Sequence, residues 1–599
     1  MSEAKRPNVV LILADDMGFS DLGCFGSEIR TPVIDAMAAR GAALTAMYNG
    51  ARCCPTRAAL LTGLYATKAG VGHMGANLGS KGYQGFLRDD AATIAEVLRA
   101  EGYRTLMSGK WHVGGDWHAK KTAEWRPGDP GRPTPRQRGF DRFWGIVDGV
   151  SSFFSPHYLL RDDSRVEIEG DDFYFTDFAT DEAIRLVEGS VAEQKPFFLY
   201  LGYTAPHWPL HARDEDIARY DGVYAKGWDA TRTARHEELL GRKLLPHPWR
   251  ISPRDPDAPA WRDVAHHDWE AQRMAVYAAM VDCMDRNIGR LLESLKRLGQ
   301  YEDTLVLFLS DNGGCAEFMA EDGWAKWFPD VTHDGRRMTM GNRPDVRPGP
   351  AVSYQSYDLP WANVSNAPLR LFKHWVHEGG ISTPLIAQWP RRMAGGVVAH
   401  QPAHVVDILP TILEATGARY PKELAGNPIQ PLDGESFLPL LLGTLTQRWL
   451  SGKHGEPHFN QKLKPRFQPF STLGVLGIVF VSMALKSRDI FAHPGLLPGL
   501  LLPLVLIYAI NFAISTVVGK TMFSRGDAIA LVYGTVMRNL SIALAIAMGV
   551  FGSAGADAAL LIALAYIVQV QAAAWYVKLT NRLFGAPPAP AAPAAAKGG

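Results

Sequence analysis

The 599-residue sequence has almost no charge bias. Lys and Arg number 62 against 61 Asp and Glu, a net charge of +1, which gives no argument for a nucleic-acid partner or a polyanionic surface. Cysteine is scarce: Cys24, Cys53, Cys54, Cys283 and Cys315 are odd in number and widely spread. That pattern argues against a secreted disulfide scaffold and for a reducing compartment. No second Cys or His pair follows Cys53-Cys54 at ligand spacing, so a zinc site is a poor reading. A bridge between adjacent cysteines would need a strained ring. The N-terminal MSEAKRPNVVLILADD lacks the long apolar core and cleavage site of a signal peptide; its short apolar run ends in two acids and reads as a buried strand.

Long apolar runs are missing up to about residue 445, where the chain is polar and rich in His, Trp and Gly. They then become frequent. FQPFSTLGVLGIVFVSMAL and PGLLPGLLLPLVLIYAINFAISTVVG are each uncharged over a length that spans a bilayer. Further apolar stretches cover about 527–551, with Arg538 and Asn539, and 556–577, with Gln569 and Gln571. The expected organisation is a catalytic domain over 1–445, a linker over 446–466, an all-α membrane segment of about four helices over 467–584 in contact with lipid, and a disordered Pro/Ala tail over 585–599. With four spans, Lys453, Lys462, Lys464, Arg466, Lys520, Arg525, Lys578 and Arg582 fall on one side, against Lys486 and Arg488 on the other. The positive-inside tendency places the N-terminal domain in the cytoplasm.

Within that domain, short apolar runs end abruptly in chemically capable residues. NVVLIL leads to Asp15-Asp16, TLVLFL to Asp311-Asn312, YRTLM to Lys110 and His112, and PFFLYLGY to His207. Alternating with helical patterns such as AATIAEVLRAEG, these runs predict an α/β fold, a mostly parallel sheet sandwiched by helices. Ligands in such sheets bind beyond the carboxyl ends of the strands. Asp15, Asp16, Asp311 and Asn312 supply oxygen donors suited to Ca²⁺ or Mg²⁺. Lys110, His112 and His207 suit a tetrahedral oxyanion. Singly, each has an ordinary explanation as a cap or a packed loop residue; together, at strand ends, coincidence is a poor account. The remaining reading of ARCCPTRAALLTG, which places the two cysteines in a polar turn, is a reactive cysteine.

CCPTRAALLTG resembles the sulfatase signature Cys-x-Pro-x-Arg followed by Thr-Gly. The resemblance covers about 7–440 and includes ADDMGFSDLGCFG, GKWHVG, YTAPHWPLHA, SDNGG and LRLFKHWVHEGGISTP; it is to arylsulfatases with an alkaline-phosphatase-like core. It implies that Cys53 is oxidised to formylglycine by a dedicated maturation enzyme, and that the hydrated aldehyde attacks a small-molecule sulfate ester. By the same resemblance Asp15, Asp16, Asp311, Asn312 and the modified Cys53 hold one Ca²⁺, and Arg57 orients the nucleophile. Lys110, His207 and Lys373 bind sulfate, the last two also helping the leaving group. Asp311 takes a proton from the nucleophile, and His112 the proton that triggers release of sulfate. Lys373 is chosen over His374 and His377 in the same stretch. Segment 208–262, with its Trp, Arg and His residues, is read as substrate rim or as packing. Phosphonate and phosphodiester hydrolases share the same frame. The sulfatase's usual C-terminal subdomain is expected to be missing here. Residues 461–580 resemble the C-terminal part of bile-acid:sodium symporters and arsenite-efflux proteins, one repeat of which is missing. That implies an anchor left by a fusion, the alternative being a transporter-like protein with an inactive sulfatase part.

Overall fold

The computed structural model describes residues 6–441 and 496–585, apart from 115–125, 127–128, 130, 169, 171, 246, 322–329, 394, 524 and 537–551. The chain divides into two compact units, Met1–Trp449 and Leu450–Gly599.

The first unit is built on runs too apolar to face water on either side. Every residue of the strands Asn8–Ala14, Phe197–Gly202, Thr304–Ser310 and Ser382–Gln388 is buried. They join one mixed sheet, ordered from one edge Val397–Ala399, Ala42–Tyr48, Ser382–Gln388, Thr304–Ser310, Asn8–Ala14, Phe197–Gly202, Arg104–Lys110 and Arg142–Ile146, with a small hairpin beyond. Four adjacent strands, from Thr304–Ser310 to Arg104–Lys110, run parallel, so their carboxyl ends share one edge. Ser382–Gln388 is antiparallel to both neighbours.

The central strand shows why both faces are covered. Val10, Ile12 and Ala14 point into one core with the helices Pro32–Arg40, Phe175–Ala192 and His267–Arg297. Val9, Leu11 and Leu13 point into the other, with Cys53–Thr62, Ile94–Ala100 and Ile408–Thr416. Each fully buried Val, Leu or Ile side chain contributes roughly 1.5–3 kcal/mol. The Ile94–Ala100 helix starts where its sequence says: Thr93 Oγ1 accepts from the Glu96 N–H (3.0 Å), and Glu96 Oε2 from the Thr93 N–H (2.8 Å).

One local expectation changes. Cys53-Cys54 lies not in a polar turn but at the start of Cys53–Thr62, a helix with every residue buried. Ala58, Ala59, Leu60 and Leu61 pack into the core, and its one charged residue, Arg57, is buried and paired with Asp311, so it packs as an interior helix. Lys110 is the last residue of its strand, in keeping with the strand-end position expected for it. All five cysteines are free.

In the second unit the described helices are Leu496–Met522, Arg525–Val536 and Gly552–Phe584. Among the described residues one helix, Leu501–Met522, is long and apolar enough to cross a membrane. The expected 556–577 span lies within the helix Gly552–Phe584. The third expected span begins as Arg525–Val536. The rest of it, with Arg538 and Asn539, lies outside the described residues, as do the 467–485 span, the 446–466 linker and the tail beyond 585. Gln569 is buried and accepts from the Tyr508 hydroxyl (3.0 Å), and Ser515 and Thr535 hydroxyls pair at 2.7 Å.

Candidate active site

The shared sheet edge carries Asp15 and Asp16, Asp311 and Asn312, Lys110, and the 205–209 turn with His207; the N-terminus of the Cys53–Thr62 helix faces the same place. All are buried. The side chains of Asp15, Arg57, Lys110 and Asp311 are fully inaccessible, and Lys373 and His207 are nearly so. Buried charges persist only when paired, and here each is. Arg57 donates through Nε (3.1 Å) and Nη2 (2.9 Å) to Asp311 Oδ2, and through Nη1 to the Lys110 carbonyl (3.1 Å) and the Tyr200 hydroxyl (3.2 Å). Lys110 Nζ donates to Asp15 Oδ2. The Asp16 N–H donates to Asp311 Oδ1 (3.2 Å), and Asn312 Nδ2 to Asp16 Oδ1 (2.7 Å).

The 367–381 loop delivers Lys373, whose Nζ donates to Asp16 Oδ2 at 2.9 Å and lies 3.3 Å from His207 Nε2. His374 instead faces outward to Glu317, at 3.0 Å, and His377 is exposed. The lysine is thus the member of that stretch that enters the site. His207 Nδ1 lies 2.6 Å from the Trp208 carbonyl, which assigns the proton to Nδ1 and leaves Nε2 as the acceptor facing Lys373. His112 stands apart. It is buried with positive φ (52°), its Nδ1 has no hydrogen-bond partner, and its ring fills space against Gly149, where a Cβ would lie 2.4 Å from Nε2.

Electrostatics divide the site by sign. Burial would raise Asp15, but Lys110, Arg57 and His207 hold it far below the usual carboxylate range. Burial and the neighbouring Asp15 charge push Asp311 up. Burial, reinforced by Lys110 and Arg57, holds His112 well below an ordinary imidazole, and burial lowers His207 against the pull of Asp16. The Cys53 thiol is pushed up to about 12 by burial, with Lys373 and Lys110 pulling the other way. An unaltered Cys53 is therefore a thiol at neutral pH, and a weak nucleophile. Cys54, on the other side of the helix, packs into the core with Leu44 and Leu61.

The oxygen donors of the site suit a hard cation, whereas the Cys53 thiol and the His207 ring nitrogen beside them do not. One atom each of Asp15, Asp16, Cys53 and His207 falls within 4.8 Å of the others. Two buried oxygens beside them, Asp15 Oδ1 and Asn312 Oδ1, have no hydrogen-bond partner; Arg57 Nη2 comes only to 3.4 Å from the former. Buried acceptors without donors are costly, and a divalent cation bound by oxygens satisfies them. Asp311 is committed to Arg57 and to the Asp16 N–H, and sits next to that group.

Sequence reasoning missed Glu317, which is 25% exposed and accepts from Trp208 Nε1 at 2.7 Å. Burial would raise its carboxyl, but Lys373 and His374 hold it well below the usual range. Its one sequence signal is its place just after SDNGGC. Glu317, Lys373 and His374 line a cavity of about 750 Å³ together with Pro253–Asp257, Arg370 and Trp375. Segment 208–262 thus divides: 253–257 is rim, whereas Trp228 and Trp261 pack edge to face at 4.7 Å and both meet Trp361.

Comparison with known proteins agrees with this geometry. The Sulfatase family profile matches residues 7–418. The arylsulfatase of Klebsiella aerogenes is 33% identical over 73% of this chain and 92% of its own length. An uncharacterized sulfatase of Schizosaccharomyces pombe is 33% identical over 70% of this chain and 76% of its own. The crystal structure of Ps i-CgsB in complex with k-i-k-neocarrahexaose superposes with a TM-score of 0.50 at 27% identity, covering 73% of this chain and 77% of that one.

Proposed function

The chain belongs to the sulfatase family and is a sulfuric ester hydrolase; we propose that it cleaves aryl sulfates, with Cys53 converted by a maturation enzyme to the formylglycine nucleophile and Ca²⁺ on Asp15, Asp16, Asp311 and Asn312. The observation that carries this reading is the placement of Cys53, its sulfur buried between two carboxylates and the Lys110 and Lys373 ammonium groups. A hydrated aldehyde there supplies one hydroxyl for attack on sulfur and a second for release of sulfate, and the metal polarises the oxygens it binds.

The chain's own residues supply the rest. Lys110 and Lys373 present N–H groups to a tetrahedral anion, and His207 joins them once Nε2 takes up a proton, replacing the water the anion sheds on entry. Arg57 holds Asp311 by two hydrogen bonds, fixing that carboxylate for proton acceptance. His112, held well below an ordinary imidazole and with Nδ1 unpartnered, is assigned the proton whose removal releases sulfate. His207 and Lys373 sit toward the cavity, where the leaving oxygen takes up its proton. We further propose that Leu501–Met522 anchors the protein in lipid as one of four spans, supported by its apolar length, with the catalytic unit on the cytoplasmic side, supported by the Lys and Arg distribution that four spans give.

Sulfate release from 4-nitrophenyl sulfate by the detergent-solubilised full chain, co-expressed with a maturation enzyme, tests the catalytic reading. Turnover that requires a divalent cation and Cys53 is expected. Turnover by Cys53→Ala at the wild-type rate would remove the nucleophile assignment.

A further inference from the structure

We propose that Glu317 is a positioning residue: its single carboxylate ties together the two chain segments that carry His207 and Lys373, and so sets the geometry of leaving-group departure. The proposal rests on the hydrolase reading given above. Glu317 Oε2 accepts from the indole of Trp208, the residue after His207, at 2.7 Å. Its Oε1 lies 3.0 Å from Nε2 of His374, the residue after Lys373. The two segments meet again at their functional atoms, Lys373 Nζ and His207 Nε2, 3.3 Å apart. A closed ring results: Glu317 to Trp208, Trp208 to His207, His207 to Lys373, Lys373 to His374, and back to Glu317.

Each arm needs such a tie. Trp208 also receives His207 Nδ1 on its carbonyl, so fixing its indole fixes the ring that its backbone orients. Lys373 is reached through a loop whose Leu371 and His374 have positive φ (62° and 82°). These are non-glycine residues in a conformation that surrounding contacts must hold. Glu317 is itself anchored, because its carbonyl accepts from the Ser356 hydroxyl. It also lines the cavity beside Lys373, so its negative charge lies where an anionic alcohol or phenol would otherwise linger.

The test compares kcat for 4-nitrophenyl sulfate, whose leaving group needs little protonation, with kcat for an alkyl sulfate, whose leaving group needs much. Glu317→Ala is expected to lower kcat for the alkyl sulfate by about 10- to 100-fold, the range typical of residues that orient a catalytic group, and to change 4-nitrophenyl sulfate turnover far less. Glu317→Gln, which keeps an acceptor for Trp208, is expected to recover most of the loss. In a Lys373→Ala background, Glu317→Ala is expected to add little. Equal losses on both esters, or independent losses in the double variant, would overturn the proposal. If Glu317→Ala fails to fold, His374→Ala breaks the same tie from the surface and must show the same leaving-group dependence in weaker form. Wild-type protein inert toward both esters would count against the hydrolase reading instead. The tie is then read by calorimetry with inorganic sulfate, where weaker binding by Glu317→Ala supports it and unchanged binding refutes it.

Discussion

The two units handle buried polarity in opposite ways. In the first, full charges are inside: Asp15, Arg57, Lys110, Asp311 and Lys373 are nearly or wholly inaccessible, and each touches a partner of opposite sign. Among the described residues of the second, the buried polar contacts are neutral, Tyr508 to Gln569 and Ser515 to Thr535. There the apolar side chains point outward; Leu502, Ile510, Ile514 and Val517 are each more than half exposed. Charged networks are expensive to assemble and more expensive to break, whereas hydroxyl and amide pairs between helices contribute little individually. Among the described residues, the first unit thus commits stability to charged contacts and the second to neutral ones.

That contrast is sharpest at the two adjacent cysteines. Cys53→Ala is expected to lower sulfate release by at least about 10⁴-fold, as loss of a nucleophile does, with the thermal midpoint almost unchanged. Cys54→Ala is expected to do the reverse, retaining activity and losing about 1 kcal/mol in denaturant titration through a small core cavity. Next comes the charged network. Arg57→Ala leaves Asp311 and Asp15 underpaired in the interior and is expected to cost about 3–5 kcal/mol, read as a lower urea midpoint.

Asp285 would break the rule that buried charge in the first unit is matched by charge. It accepts from the N–H groups of Val33 (3.0 Å) and Ile34 (2.8 Å), with no cation among its described ion pairs, and burial pushes it up to about 7 from 3.8. The native state then binds a proton that the unfolded chain releases above about pH 4. Stability is full below that pH and falls as pH rises toward 7. A loss on the order of 2–3 kcal/mol between pH 5 and 8 is expected, and Asp285→Asn should flatten it in melts taken across that range. The smallest effect belongs to the second unit: Gln569→Leu is expected to change stability by about 0.6 kcal/mol, measured by unfolding in detergent. A change of several kcal/mol would erase the contrast between the units.

Much of the site was legible because abrupt strand ends are legible. Asp15, Asp16, Asp311 and Asn312 each follow an apolar run directly, and the parallel register brings the runs level. Lys110 and His207 follow from the same logic. Lys373 was readable only by motif register, since a loop with two positive-φ residues has no periodicity to follow. Glu317 was not readable: its partners are set by tertiary contact, Trp208 lying 109 residues away. Aromatic density in 208–262 could not separate rim from packing, because Trp228 and Trp261 pack edge to face against each other and Trp361 while 253–257, without an aromatic, borders the cavity. In the second unit one helix among the described residues meets the length and hydropathy of a span, and the 467–485 span and most of the 527–551 span lie outside the described residues.

The central claim is that Cys53 is made into the nucleophile, and mass spectrometry of the peptide spanning it tests this most directly. After co-expression with a formylglycine-generating enzyme, the peptide should be lighter by the difference between a CH₂SH and a CHO side chain and should react with a hydrazide probe, with Cys54 unaltered. An unmodified Cys53 in protein that nevertheless hydrolyses sulfate esters would contradict the account.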